Sequence, residues 1–192
     1  MTVKQQLKLT CDDFISVNHY MGYRAVKKGK FYRVMAYKPK ETKEFEQKFG
    51  DYVKQEIINQ NWITPQKGKF VIMDTIFYFP RTDMDAQNYF KSICDIMTNV
   101  GVWEDDNIVL EKVNRIYYDS KNPRIEIVLH EADSVGIFDS SEEYYTFKSV
   151  CNNCKRFKKT CSIHNKAIES RIQDEVNLVD NKWTCSKFGM VK

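Results

Sequence analysis

The spacing of apolar residues divides the first 131 residues into segments of strand and helix. Alternation over residues 3–10 predicts a first strand. After Pro39, which is tolerated in the first turn of a helix, apolar residues recur at helical spacing through Gln60 and predict a helix. We expect one stripe of this helix to face the core: Phe45, Phe49, Tyr52, Val53, Ile57 and Ile58.

The second half of this region alternates between strand and helix patterns. A near-continuous apolar run at residues 69–79, ended by Pro80, predicts a central strand buried on both faces. Helical spacing then covers residues 86–100, and Gly101 is a stop signal. Two further strands separated by a Ser-Lys-Asn-Pro turn predict a hairpin: residues 108–118 and 124–131.

This order of elements predicts the fold class and three parts of the chain. Strand, loop, helix, strand, helix, strand, strand indicates an α+β fold, with a mixed sheet and two helices packed on it. Residues 1–131 would form this body, and residues 132–148, which are acidic and serine-rich, would form a linker. Residues 149–192 are rich in cysteine and predict a small C-terminal metal-binding module.

Composition fits a folded protein of modest size. The chain has 192 residues, of which 42% are hydrophobic and 29% charged, with a net charge of +4. Because there is no run of about 18 apolar residues and no signal-peptide core, we expect no membrane partner and a cytoplasmic location. In that compartment the six cysteines are expected to be thiols or metal ligands. The basic excess lies in the tail, where nine Lys or Arg face four Asp or Glu from Ser149 onward.

Basic and aromatic residues are interleaved between residues 12 and 33. Cations between rings can hold phosphates and stack bases, so this segment predicts a nucleic-acid contact. The alternative is a basic hairpin whose rings turn inward. The candidate DNA-binding residues are Asn18, Tyr20, Arg24, Lys27, Lys28, Lys30 and Arg33.

Two acidic pairs flank the predicted helix 86–100, and they are the candidate catalytic centre: Asp83, Asp85, Asp105 and Asp106. If the adjoining strands are neighbours, both turns can end at the same edge of the sheet. Close carboxylates raise one another's pKa, and a hard cation such as Mg²⁺ removes that conflict. Lys91 could contact the scissile phosphate. The alternatives are helix caps, a solvated turn, and a surface ion pair between Lys91 and Asp95.

The tail has the spacing of a zinc site. It reads C-x₂-C-x₆-C-x₂-H-x₂₀-C, and two Cys-containing pairs can close a tetrahedron around Zn²⁺. The favoured ligands are Cys151, Cys154, Cys161 and Cys185, with His164 as an alternative to Cys185 or as a neighbouring group. Free thiols and an iron–sulfur cluster are the other interpretations.

A known family matches the acidic segment. Residues 83–106 read DMDAQNYFKSICDIMTNVGVWEDD, and an earlier segment reads FISVNHYMGYR. They resemble the RusA family of Holliday-junction resolvases, whose signature is D-x-D-N-x-x-K-x-x-x-D-x-L, then an aromatic residue and D-D, after an upstream P-x-S-x-N-x-x-Y/W motif. The resemblance covers residues 5–131. The matching residues are Ser16, Asn18, Asp85, Asn88, Lys91, Asp95, Met97, Trp103, Asp105 and Asp106.

The sequence departs from the signature at one position. In the gap-free register the second Asp of the family falls on Gln87, whereas this chain has Asp83 two residues before Asp85. Either Asp83 and Asp85 serve as the pair, or Gln87 weakens the metal site. We favour the carboxylate pair, because a neutral amide is a poorer ligand for Mg²⁺.

The resemblance implies a homodimer that nicks four-way DNA junctions in pairs, with Mg²⁺ or Mn²⁺ at the acidic residues. It implies an active site rich in acidic residues, in agreement with the candidates above: we expect Asp83, Asp85, Asp106 and Lys91 to be catalytic, and the four aspartates Asp83, Asp85, Asp105 and Asp106 to bind the metal. Phages and prophages frequently carry such proteins. One alternative is a zinc-containing nucleic-acid-binding protein of the same fold without nuclease activity, and another is a purely structural protein.

Overall fold

The computed structural model describes residues 5–65, 68–157 and 161–190, which fold into two compact units. Unit 1 comprises Met1–Thr64 and Val71–His130. Unit 2 comprises Pro65–Phe70 and Glu131–Lys192. Each unit has its own buried apolar cluster, so each is described by itself.

Unit 1 is built on a mixed four-stranded sheet in the order β1-β6-β4-β5. β1 pairs with β6 in antiparallel fashion, and β4 pairs with β5 in parallel fashion. β6 and β5 are therefore not neighbours, and the predicted hairpin between them is wrong: β4 lies between the two. The strands are β1 (Gln6–Cys11), β4 (Val71–Phe79), β5 (Val109–Tyr118) and β6 (Arg124–Glu131).

Two helices cover one face of this sheet, as predicted. They are α2 (Lys40–Asn59) and α3 (Gln87–Val100), and Gly101 ends α3 with φ 86°. The cluster between helices and sheet contains Phe77 of β4 and Phe90 of α3, whose rings meet edge to face at 5.7 Å. Residues of β4 alternate between buried and half-buried, so only one face of this strand is fully buried, whereas burial on both faces was predicted.

A separate hairpin lies between β1 and α2, where a loop was predicted. A short helix, α1 (Val17–Tyr20), leads into β2 (Gly22–Lys28), which pairs with β3 (Phe31–Tyr37). The two-residue connection is possible because Gly29 adopts φ 66°, a conformation that glycine reaches without strain. The interleaved basic and aromatic residues of the sequence therefore lie largely on an antiparallel hairpin.

Unit 2 combines two helices and a small hairpin. Phe138 and Phe147 are its fully buried large residues, with ring centroids 5.1 Å apart. Trp183 packs edge to face on Phe138 at 4.8 Å. The elements are α4 (Ser141–Asn152), α5 (Ser162–Ile168), β7 (Val176–Val179) and β8 (Lys182–Cys185).

The segment 132–148 was predicted to be a linker, and the structure corrects this. Phe138 is buried and α4 begins at Ser141. The Ser140 hydroxyl accepts from the Glu143 N–H (3.1 Å), while the Glu143 carboxylate accepts from the Asp139 N–H (3.1 Å). These reciprocal bonds resemble a capping box, and they occur at a Ser-x-x-Glu spacing that the acidic composition obscured.

No helix in the described part of the chain is long and apolar enough to cross a bilayer.

Gly136 should be the glycine whose replacement most disturbs unit 2. Its φ is 59°, and a Cβ there would lie 2.1 Å from the Ala167 carbonyl oxygen. Gly136→Ala should lower the free energy of unfolding by about 2–4 kcal/mol, from steric overlap and an unfavourable φ. Gly101→Ala is the control, because its φ is also positive but its Cβ position is open, and it should cost about 1 kcal/mol. Denaturant unfolding measures both, and equal losses would contradict the steric argument.

Candidate active site

The turn after β4 places two of the predicted carboxylates at the start of α3. Asp85 Oδ1 accepts a hydrogen bond from the Gln87 N–H (3.0 Å). Asp83 Oδ1 lies 3.2 Å from Nε of Arg81. Asp85 thus satisfies one of the free N–H groups at the helix start, which is the contact that the capping alternative describes.

Two tryptophans hold the turn between α3 and β5. The buried Trp103 donates its indole N–H to the Thr98 hydroxyl (2.8 Å), and the Trp62 indole N–H donates to the Val102 carbonyl (3.0 Å). The chain then passes through a short 3-10 helix, Asp106–Ile108, into β5. This anchoring fixes the position from which Asp106 projects.

Lys91 links α3 to this turn. Its Nζ lies 2.7 Å from Asp95 Oδ1 and 3.0 Å from Asp106 Oδ2. The hydrogen bonds to Asp95 and Asp106 raise the pKa of Lys91, and the bond from Lys91 lowers the pKa of Asp106. Lys91 is therefore an ammonium and Asp106 a carboxylate at neutral pH. The surface ion pair between Lys91 and Asp95 is present, as the alternative interpretation expected. Lys91 also contacts Asp106, which lies outside the helix.

Glu111 of β5 also belongs to this centre, although no sequence motif marks it. Partial burial raises its pKa, the charge of Asp106 adds to this effect, and Lys91 and a thiol contact oppose it. Its Oε1 lies 3.6 Å from Sγ of Cys94. Cys94 remains a thiol, because burial raises its pKa strongly. Glu111 could have been predicted from the sequence only by knowing that β5 begins beside α3.

The strand pairing does not bring the two acidic turns to one edge. β4 and β5 are parallel, with Phe79 opposite Tyr118. Residues 83–85 follow the Phe79 end, whereas residues 105–106 precede Val109, at the other end of the pair. The expectation of a shared edge was wrong, because a helical crossover between parallel strands returns the chain to the opposite end.

The four predicted magnesium ligands are therefore not preassembled. In the described part of the chain no group of three or more His, Cys, Asp or Glu is arranged to hold a metal ion. Asp105 accepts a hydrogen bond from the Asn107 side chain (3.0 Å), while the others have the partners given above. Carboxylates repel one another without a cation, so each takes the nearest donor. Their roles as ligands stay predictions.

The β2–β3 hairpin exposes the predicted basic residues. All residues of both strands are exposed except Gly22 and Val26, which are half-buried. The Arg24 guanidinium lies 5.5 Å from the centre of the Tyr37 ring. Its most exposed aromatic side chains are Tyr23, Phe31 and Tyr32, each 70–75% exposed. The alternative in which the rings turn inward does not apply to these three.

Of the two predicted DNA-binding residues that precede the hairpin, one is exposed and the other is buried. Asn18 is exposed, and its N–H donates to the Ser16 hydroxyl (3.3 Å). Tyr20 is buried, its hydroxyl donates to Glu46, and Lys38 lies 5.1 Å from its ring centre. The prediction of Tyr20 as a DNA contact is therefore corrected, since a ring held inside the fold cannot stack on a base.

The thiols of the tail come from four places in unit 2 and line one cavity. Cys151 is in the last turn of α4, and the backbone of Cys154 pairs with that of Met190 in a single antiparallel β-bridge. Cys161 precedes α5, and Cys185 ends β8. Burial raises the pKa of Cys151 to about 12, and the other three thiols add to the effect. The sequence spacing therefore identified residues that lie together.

The same cavity is lined by His164, but a formed zinc centre is not present among the described residues. His164 is buried among Phe147, Phe157 and Tyr144, and burial lowers its pKa. All four thiols are free. Since the described residues contain no arrangement of three or more metal ligands, the structure does not support the predicted zinc site as a preformed one.

Comparison with known families identifies the class of protein. A family model described as Endodeoxyribonuclease RusA matches residues 21–130, which is more than half of the chain. The chain belongs to the RusA family, whose members are Holliday-junction resolving endodeoxyribonucleases, and it is an enzyme of this class. The match includes the hairpin, the Lys91–Asp106 contact and three strands of the mixed sheet, β4, β5 and nearly all of β6, whereas β1 lies outside it. No curated protein matches the chain.

The contact between Lys91 and Asp106 predicts a measurable pKa change. In Lys91→Met the pKa of Asp106 should rise toward the ordinary aspartate value, because the hydrogen bond that lowers it is removed. A depressed carboxylate pKa contributes stability above its unfolded value, and this is lost as pH falls through the folded pKa. The variant should therefore be less sensitive to acid between these two pKa values. Carboxyl NMR titration measures the change; Lys54→Met is the control, and an unchanged Asp106 pKa in Lys91→Met would contradict the assignment.

Proposed function

We propose that the protein resolves four-way DNA junctions by paired nicks that depend on Mg²⁺ or Mn²⁺. The contact of Lys91 with Asp106 supports this proposal most directly. The family signature has its lysine and its last aspartate at these two positions, and the fold brings the side chains to 3.0 Å. The charged pair is half-exposed, so a DNA phosphate can reach it.

The donor set suits a hard divalent cation. Asp106, beside Lys91, is the residue that would hold it there. The other candidates are Asp105, from the same turn, and Asp83 and Asp85, which follow the opposite end of the β4–β5 pair and would have to approach the ion. Mg²⁺ commonly takes only one or two protein carboxylates and completes its shell with water and phosphate oxygens. When bound, the ion would stabilise charge on the phosphate and favour ionisation of a water molecule.

The chain's own groups would position the phosphate and move the proton. Lys91 is 61% exposed, and its ammonium has three donors, of which Asp95 and Asp106 occupy two. The third donor can bind a non-bridging phosphate oxygen and oppose the charge that develops at phosphorus. Glu111, whose pKa is raised, is a suitable group to accept the proton of the attacking water and release it to solvent.

The hairpin would bind the DNA backbone around this centre. Arg24 and Arg33 lie on one of its faces, and Lys27 lies beside Tyr32 on the other. Both faces therefore combine a cation with exposed apolar or aromatic surface. Phosphates and unstacked bases near a junction offer complementary charge and ring surface.

Removing a carboxylate of the centre should stop cleavage without stopping binding. Asp106→Asn and, separately, Asp85→Asn should lower the nicking rate of a labelled four-way junction by about 100-fold or more. Binding should be equal or tighter, because each change removes a negative charge near phosphate. Asp51→Asn, an exposed helix aspartate, is the control and should nick normally. Normal nicking by both active-site variants would end the site assignment.

The two registers of the signature are separated by a second pair of variants. If Asp83 and Asp85 are the carboxylate pair, Asp83→Asn should lose nicking activity as Asp85→Asn does. If Gln87 instead occupies a weakened ligand position, Gln87→Asp should increase the nicking rate at low Mg²⁺ concentration. Full activity of Asp83→Asn would show that the second ligand is placed wrongly.

The hairpin lysines should determine the salt dependence of binding. Replacing Lys27, Lys28 and Lys30 with Gln should weaken junction binding and reduce the slope of log affinity against log salt by about 1 for each DNA phosphate that a lysine had neutralised. Lys54→Gln, on α2, should leave the slope unchanged. Binding isotherms at several salt concentrations measure this. An unchanged slope in the triple variant would show that the hairpin does not contact the DNA backbone.

Two symmetric nicks require two active sites, so the proposal includes a homodimer. A C₂ dimer matches the near-twofold symmetry of a four-way junction. The protein should therefore have about twice the 22.8 kDa chain mass in solution, as measured by light scattering or sedimentation. A strictly monomeric protein that still makes paired nicks would contradict this.

A nuclease is favoured over the nucleic-acid-binding protein without cleavage, because Lys91 and Asp106 retain both their signature positions and their contact. Two observations stand on the other side: Gln87 in place of a second aspartate, which the variants above test, and the two acidic turns at opposite ends of the β4–β5 pair. Cytoplasmic action and a phage or prophage origin complete the proposal; the first is the expectation from the sequence composition, and the second rests on the family resemblance.

A further inference from the structure

The cavity lined by the four tail thiols is small. Its volume is about 20 Å³, which accommodates one water molecule or one ion and excludes an organic ligand. Besides the four sulfurs and one imidazole, the lining consists of two basic residues, Arg156 and Lys187, and apolar side chains that include Phe147, Phe157 and Phe188. A water molecule needs two or more good polar partners, and thiols are weak ones. The lining therefore favours an ion that sulfur binds well.

His164 provides an independent observation at the same place. It is 7% exposed, lines the cavity, and its Nε2 has no hydrogen-bond partner in the described part of the chain. A buried polar atom without a partner is costly, and it indicates an occupant or a neighbour that completes the site. A neutral imidazole can carry its proton on Nε2 and donate it to a sulfur in the cavity.

One of the four thiols already accepts a hydrogen bond from a backbone N–H. The Gly189 N–H lies 3.4 Å from Sγ of Cys154. Backbone N–H groups directed at a sulfur stabilise the thiolate, which is the form that binds metal.

We propose that unit 2 binds one zinc ion through Cys151, Cys154, Cys161 and Cys185. Soft thiolates and a tetrahedral set of four select Zn²⁺ over Mg²⁺. Each thiol would give its proton to solvent as its sulfur joins the ion, so binding strengthens with pH. In the described part of the chain the four free thiols are not arranged as a ligand group. Rotation about χ1 of each cysteine would redirect its sulfur toward a common ion.

Packing explains why His164 is placed beside the ion and not among its ligands. Phe157 meets the His164 ring edge to face at 4.7 Å, and Phe147 lies parallel to it at 6.2 Å. These contacts fix the orientation of the imidazole ring. Four sulfurs already fill the four coordination positions of a tetrahedral zinc ion, so no position is left for His164. His164 would then be a neutral neighbour whose Nε2–H donates to one of the metal-bound sulfurs.

Zinc would contribute much of the stability of unit 2. Among the described residues, its apolar cluster has only five buried members, one of which is Cys151. A small core rarely offsets the entropy of ordering several short elements, and a metal cross-link supplies the difference.

The test is metal analysis of the full-length protein, purified without chelators or after incubation with zinc chloride and desalting. About one zinc per chain is expected, with four thiols protected from a mercurial reagent until the zinc is released. Cys151→Ser and Cys185→Ser should lose the zinc, whereas Cys11→Ser, a buried thiol of unit 1, should retain it. These readouts do not depend on nuclease activity, so they are independent of the function proposed above.

Three results would overturn the proposal. Wild-type protein that neither contains nor takes up zinc, with the four tail thiols titrating freely, would rule out the site. Disulfides among the four tail cysteines in freshly purified protein would show a covalent cross-link instead. Loss of zinc in His164→Gln together with its retention in Cys185→Ser would show that the ligand set is wrong.

Discussion

The ion pair between Lys91 and Asp106 is the contact on which the candidate active site depends. It joins a helix to the turn that begins the next strand, and Asp95 adds a second carboxylate to the same ammonium. The pair keeps one group cationic and the other anionic in a half-exposed position. Charges of both signs are what a phosphodiester and a divalent cation require from a protein surface.

The parallel pairing of β4 and β5 explains why that contact forms. A crossover helix between parallel strands must run back along the sheet, so residues of α3 face the beginning of β5. Lys91 and Cys94 of α3 thereby meet Asp106 and Glu111. Trp103, buried in the turn, holds this return path in place. The site is thus a product of the topology, while unit 2 has a separate cluster of its own.

Local patterns were sufficient for most of unit 1 and insufficient where partners decide. Helical spacing and the stop at Gly101 predicted α3, because both signals lie within the helix itself. Strand order could not be predicted from proximity in the chain, since β4 separates two consecutive strands. Tyr20 and Glu111 show the same limit: burial of the first and the charged surroundings of the second depend on residues distant in the sequence. In the tail, cysteine spacing identified a group of thiols without showing how closely they approach.

The most direct test compares two labelled substrates of the same sequence, a four-way junction and a linear duplex, incubated with the purified wild-type protein in Mg²⁺ and in EDTA. Symmetric nicks in opposite strands of the junction, only with Mg²⁺ and with the duplex intact, are the predicted result. Binding of the junction without any nick in either Mg²⁺ or Mn²⁺, or equal cutting of junction and duplex, would contradict the account.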